Sequence, residues 1–114
     1  MSDRILIVDD EVSILSTLSD VLKDESFETE LAESAEEAMK ILMNSDAHDF
    51  QAALVDIWMP GVDGIEFLDW TKRRFPKLQV IMMSGHGTIE TAVKATKKGA
   101  YDFIEKPLSL EIVL

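Results

Sequence analysis

A few residues that can do chemistry lie just beyond short apolar runs of this sequence. Asp9 and Asp10 follow one such run, and Asp56 follows another. Lys106, before Pro107, stands at the end of a third run. Because the carboxyl ends of parallel strands meet at one edge of a sheet, residues far apart in the sequence can converge there. Three carboxylates and one ammonium group at such an edge predict a site for a divalent cation and a phosphoryl group.

The carboxylates suit Mg²⁺, a hard cation that takes oxygen ligands and keeps several of its waters. Asp10 and Asp56 are the candidates for direct ligands, and Asp9 is the candidate for a ligand that acts through water. A backbone carbonyl just after Asp56 would complete the set of protein ligands.

Asp56 is also a candidate nucleophile, because carboxylates form aspartyl-phosphate intermediates in phosphoryl transfer. Lys106 would supply positive charge to the phosphoryl oxygens, and neutralising that charge is most of what this chemistry requires of a protein. Ser84 ends a further apolar run and is placed to donate a hydroxyl hydrogen bond to the same group.

Each of these residues has an ordinary alternative role. The Asp9-Asp10 pair can cap a helix, since Asp is a favoured N-cap residue, and Ser84 can do the same. Asp56 alone would suit a turn, and Lys106 alone would suit a solvated surface. Their joint placement at four strand ends favours a shared site.

The composition limits the classes of function. A chain of 114 residues is expected to form one domain, and without cysteine it has neither disulfides nor thiol chemistry. The net charge of −11 argues against direct binding of nucleic acid, which depends on Lys and Arg at the phosphates. No apolar run is long enough for a membrane span, and the first residues do not resemble a signal peptide. We therefore expect a cytoplasmic protein without membrane contact.

Alternating strand and helix patterns predict the frame that positions the site. Continuous apolar runs, typical of strands covered on both faces, lie at residues 5–8, 53–55 and 80–83. Two half-polar runs, as edge strands can be, lie at residues 28–32 and 101–104.

Helical spacing between the runs predicts four helices. The first has its apolar face at residues 14–22, and the second begins at Ser34 with Glu37 as the partner in a capping box. The third stops before Pro76, and the fourth ends at Gly99, a good residue for a helix C-terminus.

This order predicts an α/β fold: a doubly wound, five-stranded parallel sheet of order 2-1-3-4-5 with helices on both faces. Ligands of such sheets bind between strands one and three, where the acidic residues fall. Residues 108–114 are too few for a closing helix, since helices average about 11–12 residues. We expect residues 1–114 to be a single domain with a truncated final helix, cut from a longer protein.

As a set, the motifs resemble the receiver domain of two-component response regulators. They are VDDE at 8–11, DIWMPGVDG at 56–64, MSGHG at 83–87 and EKP at 105–107. The resemblance covers the whole chain and implies the flavodoxin-like receiver fold. It also implies a phosphoprotein that receives a signal in a phosphorelay. Such a protein is not a metabolic enzyme, because it transfers a phosphoryl group only to itself and removes it again.

The resemblance assigns roles to the acidic residues. Asp56 would be the phosphoacceptor. Mg²⁺ would be held by Asp10, Asp56 and the backbone carbonyl of Trp58, with Asp9 bridging through water.

Other roles come from the resemblance as well. Ser84 and Lys106 would contact the phosphoryl group. Phe103, three residues before Lys106, falls where the family has its switch aromatic, whereas Tyr101 has the wrong spacing. The peptide bond before Pro107 is expected to be cis.

The stretch from 84 to 107 is similar to the nitrogen-regulation activators, the NtrC/NtrX-like sigma-54 class. That similarity implies a sensor histidine kinase as phosphoryl donor, with ATPase and DNA-binding output domains elsewhere in the full-length protein. It implies regulation of transcription and a homodimer through the fourth helix, fifth strand and fifth helix.

Two other functions stay open at this stage. The first is a Mg²⁺-dependent phosphatase or phosphotransferase, although such enzymes commonly carry a second Asp where this chain has Trp58. The second is a degenerate receiver that acts only as a binding module.

Overall fold

Five parallel strands form one sheet in the computed structural model, which describes residues 4–44, 50–57, 61, 63–84, 97 and 99–105. The spatial order is β2-β1-β3-β4-β5, so the predicted order is confirmed. The strands are β1 (Arg4–Val8), β2 (Glu28–Ala32), β3 (Phe50–Asp56), β4 (Gln79–Ser84) and β5 (Asp102–Glu105).

The register of the central strands aligns their carboxyl ends. Val8 of β1 pairs with Val55 of β3, so the residues that follow them, Asp9 and Asp56, leave neighbouring strands side by side. Asp56 in turn pairs with Met83 of β4. The edge of the sheet where these strands end is therefore the edge at which the predicted site lies.

Within the part of the chain that the structure describes, three helices connect the strands: α1 (Val12–Asp24), α2 (Ala35–Asn44) and α3 (Gly64–Arg74). The predicted fourth helix and the closing segment lie outside the described residues, apart from Lys97, which is helical. Gly99 has a φ of 104°, the left-handed conformation expected of a glycine after a helix end. Among the described helices, none has the length and apolarity that crossing a membrane would require.

Two apolar cores, one on each face of the sheet, explain why the central strands are continuously apolar. Ile5 and Ile7 pack in the core on the α1 side. Leu6 and Val8 pack on the opposite face, in the core that contains residues of α2 and α3. Successive side chains of a strand point to opposite faces, so a strand covered on both sides needs apolar residues throughout.

The start of α2 follows the predicted capping box only in part. The N–H of Glu37 donates to the Ser34 hydroxyl at 3.1 Å, as expected. The Glu37 carboxylate accepts from the N–H of Glu33 at 3.4 Å, not from that of Ser34. The donor is thus one residue earlier than in a capping box. The N–H of Glu33 can take this role because it precedes the helix and lies within reach of the Glu37 side chain.

A hydrogen bond joins the last turn of α3 to Leu78, the residue before β4. The helix stops at Arg74, before Pro76, as predicted. The Lys72 ammonium donates to the backbone oxygen of Leu78 at 2.6 Å, and partial burial lowers the pKa of Lys72. This bond closes the short connection between α3 and β4.

Substitutions at two neighbouring residues of α2 test which face of the helix is buried. Leu42 is fully buried, so Leu42→Ala should lower the free energy of unfolding by about 2–5 kcal/mol through lost burial and the remaining cavity. Met43 is 61% exposed, so Met43→Ala should change it by less than about 0.5 kcal/mol. Urea denaturation measures both, and equal losses would contradict the described packing of α2.

Candidate functional site

Three carboxylates meet beyond the ends of β1 and β3. One oxygen each from Asp9, Asp10 and Asp56 can be chosen so that all lie within 4.8 Å of one another. Asp9 is fully buried and Asp56 is 4% exposed, whereas Asp10 is exposed. The structure thus gathers, at one edge of the sheet, the three acidic residues that the sequence placed there.

Backbone hydrogen bonds fix Asp9. Its N–H donates to the oxygen of Ala32 at 3.1 Å, which continues the pairing of β1 with β2 beyond the last strand residue. Its Oδ1 accepts from the N–H of Glu11 at 2.9 Å. The N-cap residue of α1 is Glu11, without a side-chain capping bond, so neither Asp9 nor Asp10 is the N-cap of this helix.

Asp56 is the last residue of β3 and not part of a turn. The N–H of Ile57 donates to the oxygen of Met83 at 2.9 Å, so the ladder between β3 and β4 continues past Asp56. The N–H of Gly64 donates to the oxygen of Ile57 at 2.8 Å and closes the connection to α3. The backbone on both sides of Asp56 is therefore held in place.

Gly64 allows α3 to begin directly against Asp56. A Cβ atom at this position would lie 2.2 Å from the backbone oxygen of Asp56 and 2.7 Å from the Cα of Ile57. No side chain fits there. The helix start is completed by Asp63, whose carboxylate accepts from the N–H of Glu66 at 2.9 Å.

The remaining predicted site residues belong to β4, β5 and the segments beyond them. Ser84 ends β4 and pairs with Glu105 of β5, the residue before Lys106. The backbone therefore carries Ser84 and the end of β5 to the same edge as Asp56. Lys106 itself lies outside the described residues.

Trp58 and Pro107, and with them the predicted carbonyl ligand and cis bond, also lie outside the described residues. Phe103 is in β5, where it pairs with Met82 of β4. Tyr101 precedes β5 and is 66% exposed.

The acidic cluster has the chemistry of a site for a hard cation. Its donors are all carboxylate oxygens, the ligand type that Mg²⁺ prefers. Opposite ligands of an octahedral Mg²⁺ lie about 4.2 Å apart, twice the usual metal–oxygen distance. The three oxygens lie within 4.8 Å of one another, slightly more than that span, so the residues present fit such an ion when one carboxylate acts through a water molecule.

Sequence reasoning missed the contacts that hold the connection between β3 and α3. Asp63 followed by Glu66 has the spacing of a capping box and would have located the start of α3. No signal in the sequence shows that Gly64 touches Asp56, or that the Glu36 carboxylate of α2 lies beside Gly61. The first contact depends on how closely α3 approaches the sheet, and the second joins segments that are distant along the chain.

The family model of the response regulator receiver domain matches residues 5–114. The chain belongs to this family, and the predicted resemblance is confirmed. An NtrX-like response regulator of Rickettsia felis (strain ATCC VR-1525 / URRWXCal2) is 48% identical over 107 residues. That alignment covers 92% of this chain but 22% of the relative, so the chain spans about a fifth of the length of this curated protein.

Solved structures also support membership of the receiver family. The receiver domain of NtrX from Brucella abortus is 43% identical, with a TM-score of 0.87 over 96% of this chain and 90% of that one. The beryllofluoride-activated NtrC4 receiver domain dimer is 45% identical, with a TM-score of 0.88 over 96% of this chain and 88% of that one. The fold is the receiver fold, and the similarity to the nitrogen-regulation branch is confirmed.

Gly64→Ala tests the contact between α3 and Asp56. The added methyl group has no room, so the free energy of unfolding should fall by about 3 kcal/mol, the upper part of the usual range for overpacking. At Gly61 the nearest atom to an added Cβ is the flexible Glu36 carboxylate, at 3.2 Å. Gly61→Ala should therefore cost only about 1–2 kcal/mol, from its positive φ. Urea denaturation compares the two, and wild-type stability of Gly64→Ala would contradict the described packing.

Proposed function

We propose that this chain is a phosphorylation-dependent signal receiver in which Asp56 accepts a phosphoryl group with the help of Mg²⁺. The observation that carries the proposal is the meeting of the Asp9, Asp10 and Asp56 carboxylates at the ends of adjacent strands. Membership of the receiver family supports a role for that cluster in phosphoryl transfer.

Asp10, Asp56 and the backbone carbonyl of Trp58 would hold Mg²⁺, and Asp9 would act through a water molecule. The contacts of Asp9 support its indirect role, because one of its oxygens already accepts from the N–H of Glu11. The bound ion supplies positive charge to the oxygens of the phosphoryl group.

The Asp56 carboxylate attacks the phosphorus of a phosphohistidine on a sensor histidine kinase. An oxygen–phosphorus bond forms, the phosphorus–nitrogen bond breaks, and the imidazole leaves with the electron pair of that bond and takes up a proton from solvent. Lys106 and Ser84 would neutralise and hydrogen-bond the phosphoryl oxygens. Water later hydrolyses the acyl phosphate and restores the carboxylate. The chain therefore acts on itself and turns over no separate substrate, unlike an ordinary phosphatase.

Phosphorylation would switch the chain through β4 and β5. A phosphoryl group adds about −1.5 to −2 charge and new acceptor oxygens. Ser84 would move toward it, and Phe103 would rotate inward as the loop after β4 shifts. The pairing of β4 with β5 supports this route, since Met82 pairs with Phe103 and Ser84 with Glu105. The change is a shift of population between two packings.

The partners follow from the same proposal. Residues 1–114 would be a single receiver domain of a longer cytoplasmic regulator, with ATPase and DNA-binding output domains that control transcription. The 22% coverage of the Rickettsia felis relative supports further domains. The excess of carboxylates leaves DNA binding to the output. The NtrC4 dimer supports a homodimer, for which we propose the face of the fourth helix, β5 and the fifth helix.

Asp56→Asn should abolish phosphorylation, because the amide is not a nucleophile for phosphoryl transfer. The measurement is covalent incorporation from acetyl phosphate with Mg²⁺, followed by intact mass. Asp63→Asn is the matched control, since Asn also caps helices well and labelling should continue at close to the wild-type rate. Labelling of Asp56→Asn as readily as wild type would disprove the assignment.

Asp10→Asn should remove most of the stabilisation by Mg²⁺. A ligand at one hundred times its dissociation constant stabilises the folded state by about 2.7 kcal/mol, and the variant should lose the larger part of this. Urea denaturation with and without Mg²⁺ gives the value. Asp20→Asn, an exposed acid on α1, should keep the full effect. The metal assignment fails if Asp10→Asn responds to Mg²⁺ as the wild type does.

A further inference from the structure

We propose that Glu36, in the first turn of α2, is a positioning residue for the connection between β3 and α3. The inference rests on the proposed function, because this connection directly follows the phosphoacceptor Asp56. Glu36 takes no part in bond making. Its role is to hold the backbone that follows Asp56 in the geometry that phosphoryl transfer requires.

Both ends of the connection are fixed by the backbone. At its start the N–H of Ile57 donates to the oxygen of Met83 at 2.9 Å. At its end the N–H of Gly64 donates back to the oxygen of Ile57 at 2.8 Å. The Asp63 cap adds a bond to α3. Between Ile57 and Asp63 the structure describes Gly61.

The Glu36 carboxylate lies where it can give that support. Gly61, within the connection, has a φ of 77°. A Cβ atom built on Gly61 would lie 3.2 Å from Oε2 and 3.4 Å from Oε1 of Glu36, so the carboxylate lies directly beside this residue. A carboxylate in such a place is a strong, charged acceptor for N–H groups. Among the described residues, this contact joins α2 to the connection.

The position of the connection matters for the chemistry. It contains Trp58, whose backbone carbonyl is the proposed third Mg²⁺ ligand, three residues before Gly61. Phosphoryl transfer depends on positioning, and a misplacement of about 1 Å can cost about a hundredfold in rate. Loosening the connection should therefore slow phosphorylation even though Asp10 and Asp56 remain.

The ordinary alternative is that Glu36 only stabilises α2, through the electrostatic attraction between an acid in the first turn and the positive end of the helix dipole. Glu37 supplies the comparison. It is the next residue, and it is exposed and acidic. Its carboxylate accepts from the N–H of Glu33, whereas the carboxylate nearest to Gly61 is that of Glu36. Removing either acid takes one charge from the same helix turn, but only the loss of Glu36 should affect the site.

Trp58 offers a direct readout. The chain has two tryptophans, and Trp70 stacks with Phe67 in α3. In a Trp70→Phe background, which keeps an aromatic ring there, fluorescence reports on Trp58 alone. Two quantities are measured: acrylamide quenching of Trp58, and the rate constant of phosphorylation by acetyl phosphate with Mg²⁺.

We expect Glu36→Ala to slow phosphorylation about tenfold through loss of positioning. It should also raise the quenching constant of Trp58. Glu36→Gln keeps a carbonyl acceptor and should fall between Glu36→Ala and the parent. Glu37→Ala should leave both quantities within about twofold of the parent, because helix capping and dipole effects act on stability.

Equal rates and equal quenching in Glu36→Ala and Glu37→Ala would overturn the inference. The quenching measurement needs no phosphoryl group, so it is repeated in the Asp56→Asn background. If the parent fails to phosphorylate but Glu36→Ala still raises quenching there, the proposed function fails while the positioning contact stands. If the parent phosphorylates and Glu36→Ala changes neither quantity, the positioning role fails alone.

Discussion

The register between β1 and β3 is the constraint on which the site depends. Val8 opposite Val55 brings Asp9 and Asp56 side by side, although like charges repel one another. Slipping one strand by a single residue would turn every side chain to the other face of the sheet. Both faces of β1 are packed in apolar cores, through Ile7 on one side and Leu6 on the other, so the core prevents that slip. Apolar packing thus holds together charges that would otherwise separate.

Buried carboxylates are costly unless hydrogen bonds or opposite charge compensate them. In this cluster the cost is limited because the carboxylates are not all buried. Asp9 is inside but accepts from the N–H of Glu11, whereas Asp10 stays in contact with solvent. Such a cluster contributes little to folding by itself, and places where a sequence departs from the most stable choice are typically functional. A divalent cation would turn the repulsion into attraction, which gives the binding of metal its driving force.

The frame was predictable because it follows from local patterns and general topology rules. Continuous apolar runs identified β1, β3 and β4, and the half-polar runs identified β2 and β5 as edges. The boundaries were less accurate: β3 begins at Phe50, three residues before the predicted start. The meeting of the acids followed from the strand order. The contact of Gly64 with Asp56 did not, since it depends on how closely α3 approaches the sheet, and no periodicity encodes that distance.

The rigidity of the centre determines where a response to phosphorylation can occur. Asp56 lies in a strand with neighbours on both sides, buried on both faces, so added charge cannot be relieved by moving it. The adjacent strand β4 is bounded on its far side by β5, an edge strand of four residues. An edge strand is paired along one side only, so displacing it breaks fewer backbone bonds than displacing β1 or β3. The phosphoryl charge proposed for Asp56 should therefore be accommodated by movement at the ends of β4 and β5. The acidic half of the site, fixed by the cores, would stay in place while the signal passes to that edge.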